Sequence, residues 1–587
     1  MSGALLTVEN LRVAYGATKA VDGVSFELAR GRCLGVIGES GAGKSQAFLA
    51  LLGLAEAGAS VSGTARFDRD LLPAAAATLR GRRIAMIFQD PMTALTPHLT
   101  VADQIGETLV AHRGSSWRDA HARAAELLQQ VGVGDVPRRM RQYPHELSGG
   151  MRQRVAIASA LACDPDLLIA DEPTTALDVS VQAQILQLLQ GLVAAGKSLV
   201  IITHDMGVIA TLADDVVVMR DGLVVERGDV AAILSTPRHE YTRELLAATP
   251  RLEGPALPLV EQRDSIPLVA RDVRVEHRLR GAWTSRILTA VDAVSFEVAA
   301  GEAVGIVGES GCGKSSLARA LLRLSPAHGE IVWLGRPVQA LSGEALRLRR
   351  DGTQIVFQDP LASLDPVMSV ADVVAEPLRA LRPDIGAVER IRRVEDILTA
   401  VGLGTEFTSR RGRELSGGQC QRVAIARAMV LEPKVLVCDE AVSALDVSIQ
   451  AQVLALLAEF KRRGTAIVFV SHNLAVVRSL CERVLVMYLG RIVEEGPSMR
   501  VLSQPLHPYS RMLLAAVPRL EPGAARGQLA AIAVRGETPS ALELPSGCAF
   551  HTRCAHAIDA CSASRPELDR AGDSARVACL RWRELRQ

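Results

Sequence analysis

Short apolar runs recur along the chain, and each stops abruptly at polar or glycine-rich residues. Cys33 to Ile37 and Ala303 to Val307 read as buried strands. Each is followed, beyond a glycine-rich loop, by an apolar-periodic stretch that reads as a helix. Further apolar runs end in a glutamine (Gln89, Gln358), in two adjacent acids (Asp171 and Glu172, Asp439 and Glu440) and in a histidine (His204, His472). Apolar runs of strand length alternating with helical stretches predict an α/β fold with a mixed or parallel sheet core and a helical subdomain.

These signals come twice. The lysines of the two glycine-rich loops lie 270 residues apart, whereas the paired acids and the histidines each recur after 268. Such constant spacing predicts two copies of one domain. The expected order is residues 1–250, a proline-broken linker at 251–267, a second copy at 268–520 and a small extension at 521–587. The linker region holds Pro250, Pro255, Pro258 and Pro267. The extension has no counterpart in the first half.

The two loops carry the chemistry. Gly38-Glu39-Ser40-Gly41-Ala42-Gly43-Lys44-Ser45 and Gly308-Glu309-Ser310-Gly311-Cys312-Gly313-Lys314-Ser315 each stand between a strand and a helix. That is the setting a phosphate-binding loop requires. Glycines let backbone N–H groups turn inward, and the helix N-terminus adds positive potential. Lys44 and Lys314 would reach the β- and γ-phosphates, and Ser45 and Ser315 would hold Mg²⁺. The chain has only six lysines among 66 basic residues, and two of them stand here. A compact ammonium fits this position where a planar guanidinium does not.

The other repeated residues supply a hydrolytic set. Gln89 and Gln358 are placed to touch Mg²⁺ and the attacking water; capping polar residues are the plainer alternative. Ser148-Gly149-Gly150 and Ser416-Gly417-Gly418 open helices and so form anion-binding termini. Asp171 and Asp439 are assigned to the metal, and Glu172 and Glu440 to the water. Strand alternation is expected to aim each pair of acids in different directions. His204 and His472 are placed to bond the γ-phosphate.

This ordered set resembles the ATP-binding cassette (ABC) ATPases over residues 5–250 and 268–518. The matching elements are the Walker A loop, Q-loop, signature, Walker B acids, D-loop (Ala176-Leu177-Asp178 and Ala444-Leu445-Asp446) and H-loop. The resemblance implies ATP hydrolysis at two complete sites. It also implies an intramolecular head-to-tail pair, with Lys44 facing Ser416 to Gly418 and Lys314 facing Ser148 to Gly150. Tyr15 stands at the family's adenine-stacking position. His277 takes that place in the second copy, within an arginine-rich segment from Arg271 to Arg286 that reads as a surface loop, and Trp283 is a substitute stacker. A solvated loop outweighs RNA binding there.

Finer detail resembles the peptide/nickel importers. The matching segments are Phe88 to Pro97, Phe357 to Pro366, Leu177 to Gln184, Leu445 to Gln452, His507-Pro508-Tyr509 and the tail from Gly536 to Cys554. The resemblance implies two permease subunits, an extracytoplasmic binding protein and a peripheral place on the cytoplasmic face of the inner membrane. No nucleic acid partner is expected at a net charge of +1. No run reaches the roughly 18 to 20 apolar residues of a membrane span. The alternative is a tandem cassette acting without permeases, such as a ribosome-acting factor, against which the short linker argues. Cys548, Cys554, Cys561 and Cys579 lack zinc-ribbon spacing. They read either as ligands of a [4Fe–4S] cluster or as reduced thiols packing a small tail. An unbroken helix from Cys554 to Cys561 would separate those two by about 10 Å, a strain on the cluster reading.

Overall fold

The computed structural model describes residues 3–174, 177–253, 257, 265–280, 285–442, 445–521, 536, 538–572 and 575–586. Trp283, Ala176, Ala444 and most of the proline-bearing linker lie outside them. The chain divides into two compact units. One is built on Met1–Thr249, with Ala516–Ala533 assigned to it; the other is built on Pro250–Ala515 and Val534–Gln587.

In the first unit, strands β1 (Ala4–Tyr15), β2 (Thr18–Ala29), β4 (Ala59–Phe67) and β5 (Asp70–Leu72) form an antiparallel sheet in the order β2-β1-β4-β5. A second sheet runs β10-β9-β3-β8-β7-β6. Its members are β3 (Cys33–Ile37), β6 (Ile84–Ile87), β7 (Leu167–Asp171), β8 (Ser198–Thr203), β9 (Asp215–Arg220) and β10 (Leu223–Asp229). Strands β6, β7, β8, β3 and β9 are parallel, and β10 returns antiparallel at the edge. Every residue of β3, β7 and β8 is buried. That is why they read as unbroken apolar runs rather than as alternation. The core lies where the two sheets and the helix Lys44–Leu51 meet: Val13, Val21, Phe26, Phe48 and Phe67 pack with Val36, Ile169 and Ile202. Helices Val101–Arg113, Trp117–Gln130 and Gly149–Leu161 pack together as a helical subdomain.

The second unit repeats the plan. Strands β11 (Leu268–Arg280), β12 (Ser285–Val298), β14 (His328–Trp333) and β15 (Arg336–Pro337) form the antiparallel sheet. The other sheet uses β13 (Ala303–Val307), β16 (Thr353–Val356), β17 (Val435–Asp439), β18 (Ala466–Val470), β19 (Arg483–Tyr488) and β20 (Arg491–Pro497). It gains β21 (Asp569–Arg570) and β22 (Arg576–Val577), giving the order β16-β17-β18-β13-β19-β20-β22-β21. Part of the C-terminal extension therefore completes the edge of the second sheet, through Glu494 opposite Val577 and Glu495 opposite Arg576.

Two expectations change. The arginine-rich segment from Arg271 to Arg286 is mostly a hairpin, not a loop. Val273 and Val275 are fully buried in it, while Asp272, Arg274 and Glu276 face outward. Cys554 and Cys561 are not joined by an unbroken helix: turns lead to a short helix confined to Asp559–Ala563.

Candidate ATP-hydrolysis sites

Each phosphate loop is folded by close packing. Gly43 and Gly313 have φ of 87° and 104° and cap the helices that begin at Lys44 and Lys314. A Cβ at these glycines would lie 2.2 and 2.0 Å from the carbonyls of Ala20 and Ala290. No side chain fits there in this conformation. The loop curls over its own lysine. Lys44 Nζ donates to the carbonyls of Gly38 and Glu39, both at 2.8 Å, and Lys314 Nζ to those of Gly308 and Glu309 at 2.7 and 2.9 Å. Both ammonium groups are buried and aimed by backbone carbonyls.

The residues that the sequence assigns to the metal lie together. Ser45 Oγ donates to Asp171 Oδ1 at 2.9 Å, and Ser315 Oγ to Asp439 Oδ1 at the same distance. Burial raises the pKa of both aspartates; the serine bond opposes it, and the neighbouring glutamate adds to it. Among the described residues the second carboxylate oxygen of Asp439 is buried without a hydrogen-bond partner. A desolvated carboxylate with a free oxygen beside a serine hydroxyl fits Mg²⁺, which takes one or two such groups together with phosphate oxygens.

The residues that the sequence assigns to the attacking water lie together as well. Gln89 Nε2 donates to Glu172 Oε2 and Gln358 Nε2 to Glu440 Oε2, each at 2.8 Å. His204 Nδ1 lies 3.1 Å from Glu172 Oε1, and His472 Nδ1 lies 3.5 Å from Glu440 Oε1. For His204, burial alone would lower the pKa, but the hydrogen bond and charge of Glu172 carry it upward. For Glu440, burial would raise the pKa, but His472, Lys314 and Gln358 together carry it downward. The acids of each pair diverge for a reason other than strand alternation. Glu172 and Glu440 lie past the strand ends with φ of 45° and 50°, a left-handed conformation rare for glutamate. The amides of these glutamates are fastened to the Ile202 and Val470 carbonyls at 2.8 and 3.0 Å. Such an over-determined backbone outlier is typical of a functional position.

Ser148 and Ser416 cap the helices Gly149–Leu161 and Gly417–Met429, accepting from the amides of Met151 and Gln419. Tyr15 donates its hydroxyl to Gln46 Oε1 at 2.7 Å, and His277 Nε2 lies 3.3 Å from Ser316 Oγ. Gln46 and Ser316 each follow the loop serine by one residue. The two rings therefore stand over equivalent positions, and His277 lines the second nucleotide cavity, of about 300 Å³, with Lys314, Gln358 and Glu440.

The loop contacts of two tyrosines escaped sequence reasoning. The Tyr241 hydroxyl accepts from the Glu39 amide at 3.1 Å, and the Tyr509 hydroxyl from the Glu309 amide at 2.8 Å. The repeated His-x-Tyr of the two halves was the available signal.

Twinned nucleotide sites of this construction define an ABC-type ATPase. The ABC transporter family profile matches residues 21–175 and 291–443, and the chain belongs to that family. The profile of the oligopeptide/dipeptide transporter C-terminal region matches residues 225–273 and 493–561. The chain is 44% identical over 599 residues to the glutathione import ATP-binding protein GsiA of Escherichia coli O157:H7, covering 92% of this chain and 95% of that one. It is 45% identical over 598 residues to GsiA of Shigella dysenteriae serotype 1 and 44% over 601 residues to that of Escherichia coli strain K12, with the same shares covered. No helix among the described residues is long and apolar enough to cross a membrane.

Proposed function

We propose that this ATPase energises an importer of glutathione-sized peptides, docked on two permeases at the cytoplasmic face of the inner membrane and fed by an extracytoplasmic binding protein. The observation that carries the reading is end-to-end similarity to glutathione import ATP-binding proteins. In this reading Lys44 and Lys314 hold the β- and γ-phosphates. Ser45 with Asp171, and Ser315 with Asp439, hold Mg²⁺, with Gln89 and Gln358 beside it. Bound Mg²⁺ neutralises charge developing on the phosphate oxygens. Glu172 and Glu440 orient and deprotonate the attacking water, and His204 and His472 keep those carboxylates aimed. Tyr15 and His277 sit against the adenine. Purification of the tagged chain from detergent-solubilised membranes should bring two polytopic permeases, and vesicles carrying that complex should take up labelled glutathione only with ATP. Ribosomal proteins without any permease would overturn the importer reading.

We further propose that Cys548, Cys554, Cys561 and Cys579 hold a [4Fe–4S] cluster. All four line one small cavity. The Cys548 amide donates to the Cys561 carbonyl at 2.7 Å, which ties those two segments together. Among the described residues no group of three or more His, Cys, Asp or Glu is placed to hold a metal ion, so the reading rests on the shared cavity and on the chemistry of four thiols. Burial pushes the Cys548 thiol up to about 11 and raises those of Cys554 and Cys579. Thiolates in that place need a metal's charge. Anaerobically purified protein should be brown and carry iron and acid-labile sulfide; colourless, iron-free protein would end the cluster reading.

A further inference from the structure

The extension reaches the second phosphate loop itself. Arg553 Nη1 donates to Glu309 Oε2 at 2.6 Å and Nη2 to Oε1 at 2.9 Å, and both side chains are only 3% exposed. The Thr538 hydroxyl donates to Glu309 Oε2 at 3.2 Å, and Ala541 lines the nucleotide cavity. Glu309 is thereby fixed at every polar atom: its amide by Tyr509, its carbonyl by Lys314 and its carboxylate by the extension. The Phe550 ring packs against Tyr509 and Tyr488, with centroids 5.4 Å apart in each case, so the same segment also steadies the tyrosine.

The first loop is built otherwise. Glu39 shares the tyrosine and lysine bonds, but it is only half-buried and has no ion pair among the described residues. The face of Tyr241 is covered by the Arg220 guanidinium at 4.8 Å. A buried bidentate guanidinium–carboxylate pair fixes geometry as well as charge. Here the carboxylate belongs to a residue whose carbonyl aims the phosphate-binding lysine.

We propose that Arg553 is a positioning residue of the second nucleotide site, acting through Glu309 on the first turn of that loop. The extension then sets ATP affinity at the second site and leaves the first alone.

The test uses the full chain in two backgrounds, Lys44→Ala to leave the second site and Lys314→Ala to leave the first, with affinity read from a fluorescent ATP analogue. Arg553→Met should weaken binding at the second site on the order of tenfold, and Arg553→Lys should recover part of it. Binding at the first site should not change. Should the buried Glu309 carboxylate left by Arg553→Met prevent folding, the double variant Glu309→Gln/Arg553→Met removes both charges and is read in the same way. Equal losses at both sites, or no loss at the second in folded protein, would overturn the proposal.

Discussion

At the scale of single residues, the water-side acids give the sharpest test of the catalytic assignment. Glu172→Gln and Glu440→Gln keep the shape and the glutamine contact but cannot accept a proton. The double variant should lose at least about 10²-fold in hydrolysis rate while still binding ATP, as phosphate release and equilibrium binding would show. A second pair of glutamates exposes a difference between the halves. Glu226 accepts the amides of Arg238 and His239, and Glu494 those of Leu506 and His507. Burial opposes ionisation in both, yet the hydrogen bonds win at Glu226, whose pKa falls, and burial wins at Glu494, whose pKa rises. Glu226 therefore adds stability that is present above its ordinary value of 4.5 and lost as pH falls through its lowered folded value. Glu494 does the reverse: its contribution is full below 4.5 and lost as pH rises through its raised value. Glu226→Gln should flatten the acid-side fall of Tm, and Glu494→Gln the decline on going from acid toward neutral pH. Changes of the same sign in both variants would contradict the assignment.

At the scale of elements, what was legible depended on how local the signal is. The strands β3, β7, β13 and β17 announced themselves because both faces are buried, and their terminal residues followed from position alone. The β11–β12 hairpin was misread because its outward positions carry the arginines and histidine that mark a solvated loop, while Val273 and Val275 alternate with them too briefly to dominate. The left-handed turn at Glu172 and Glu440 had no signature, since nothing in an Asp-Glu pair prescribes positive φ. The strands β21 and β22, two residues each, are too short to show any period. The signature helices differ in one readable detail. Ser416 and Gln419 cap each other reciprocally, with Ser416 N donating to Gln419 Oε1 at 2.9 Å, whereas Met151 in the first copy has no group to return the bond. Gln419→Met should thus destabilise the second unit by about 0.5–1 kcal/mol, measured as a lower urea midpoint at unchanged slope.

At the scale of the whole molecule, duplication made the paired sites legible, and the link from the extension to the second phosphate loop is what the sequence concealed. Glu309 and Arg553 are 244 residues apart, and no local pattern joins them. Among its described residues the extension has little with which to fold alone: Ala571 and Val577, with Cys579 and Trp582 against them, form a small apolar cluster only together with Leu506 of the second copy. A segment so poor in core needs a staple, and a metal cluster held by four thiolates would be one. If that staple holds Arg553 in place, loss of the cluster should be felt at the second phosphate loop. Replacing Cys548, Cys554, Cys561 and Cys579 together by serine should remove iron and weaken nucleotide binding in the Lys44→Ala background by about as much as Arg553→Met, on the order of tenfold. Binding in the Lys314→Ala background should stay as it was. Iron loss with unchanged affinity at the second site would mean that the edge pairing of β22 and the Glu309–Arg553 pair suffice without the cluster. The cysteines would then serve the extension, and the arginine alone would serve the loop.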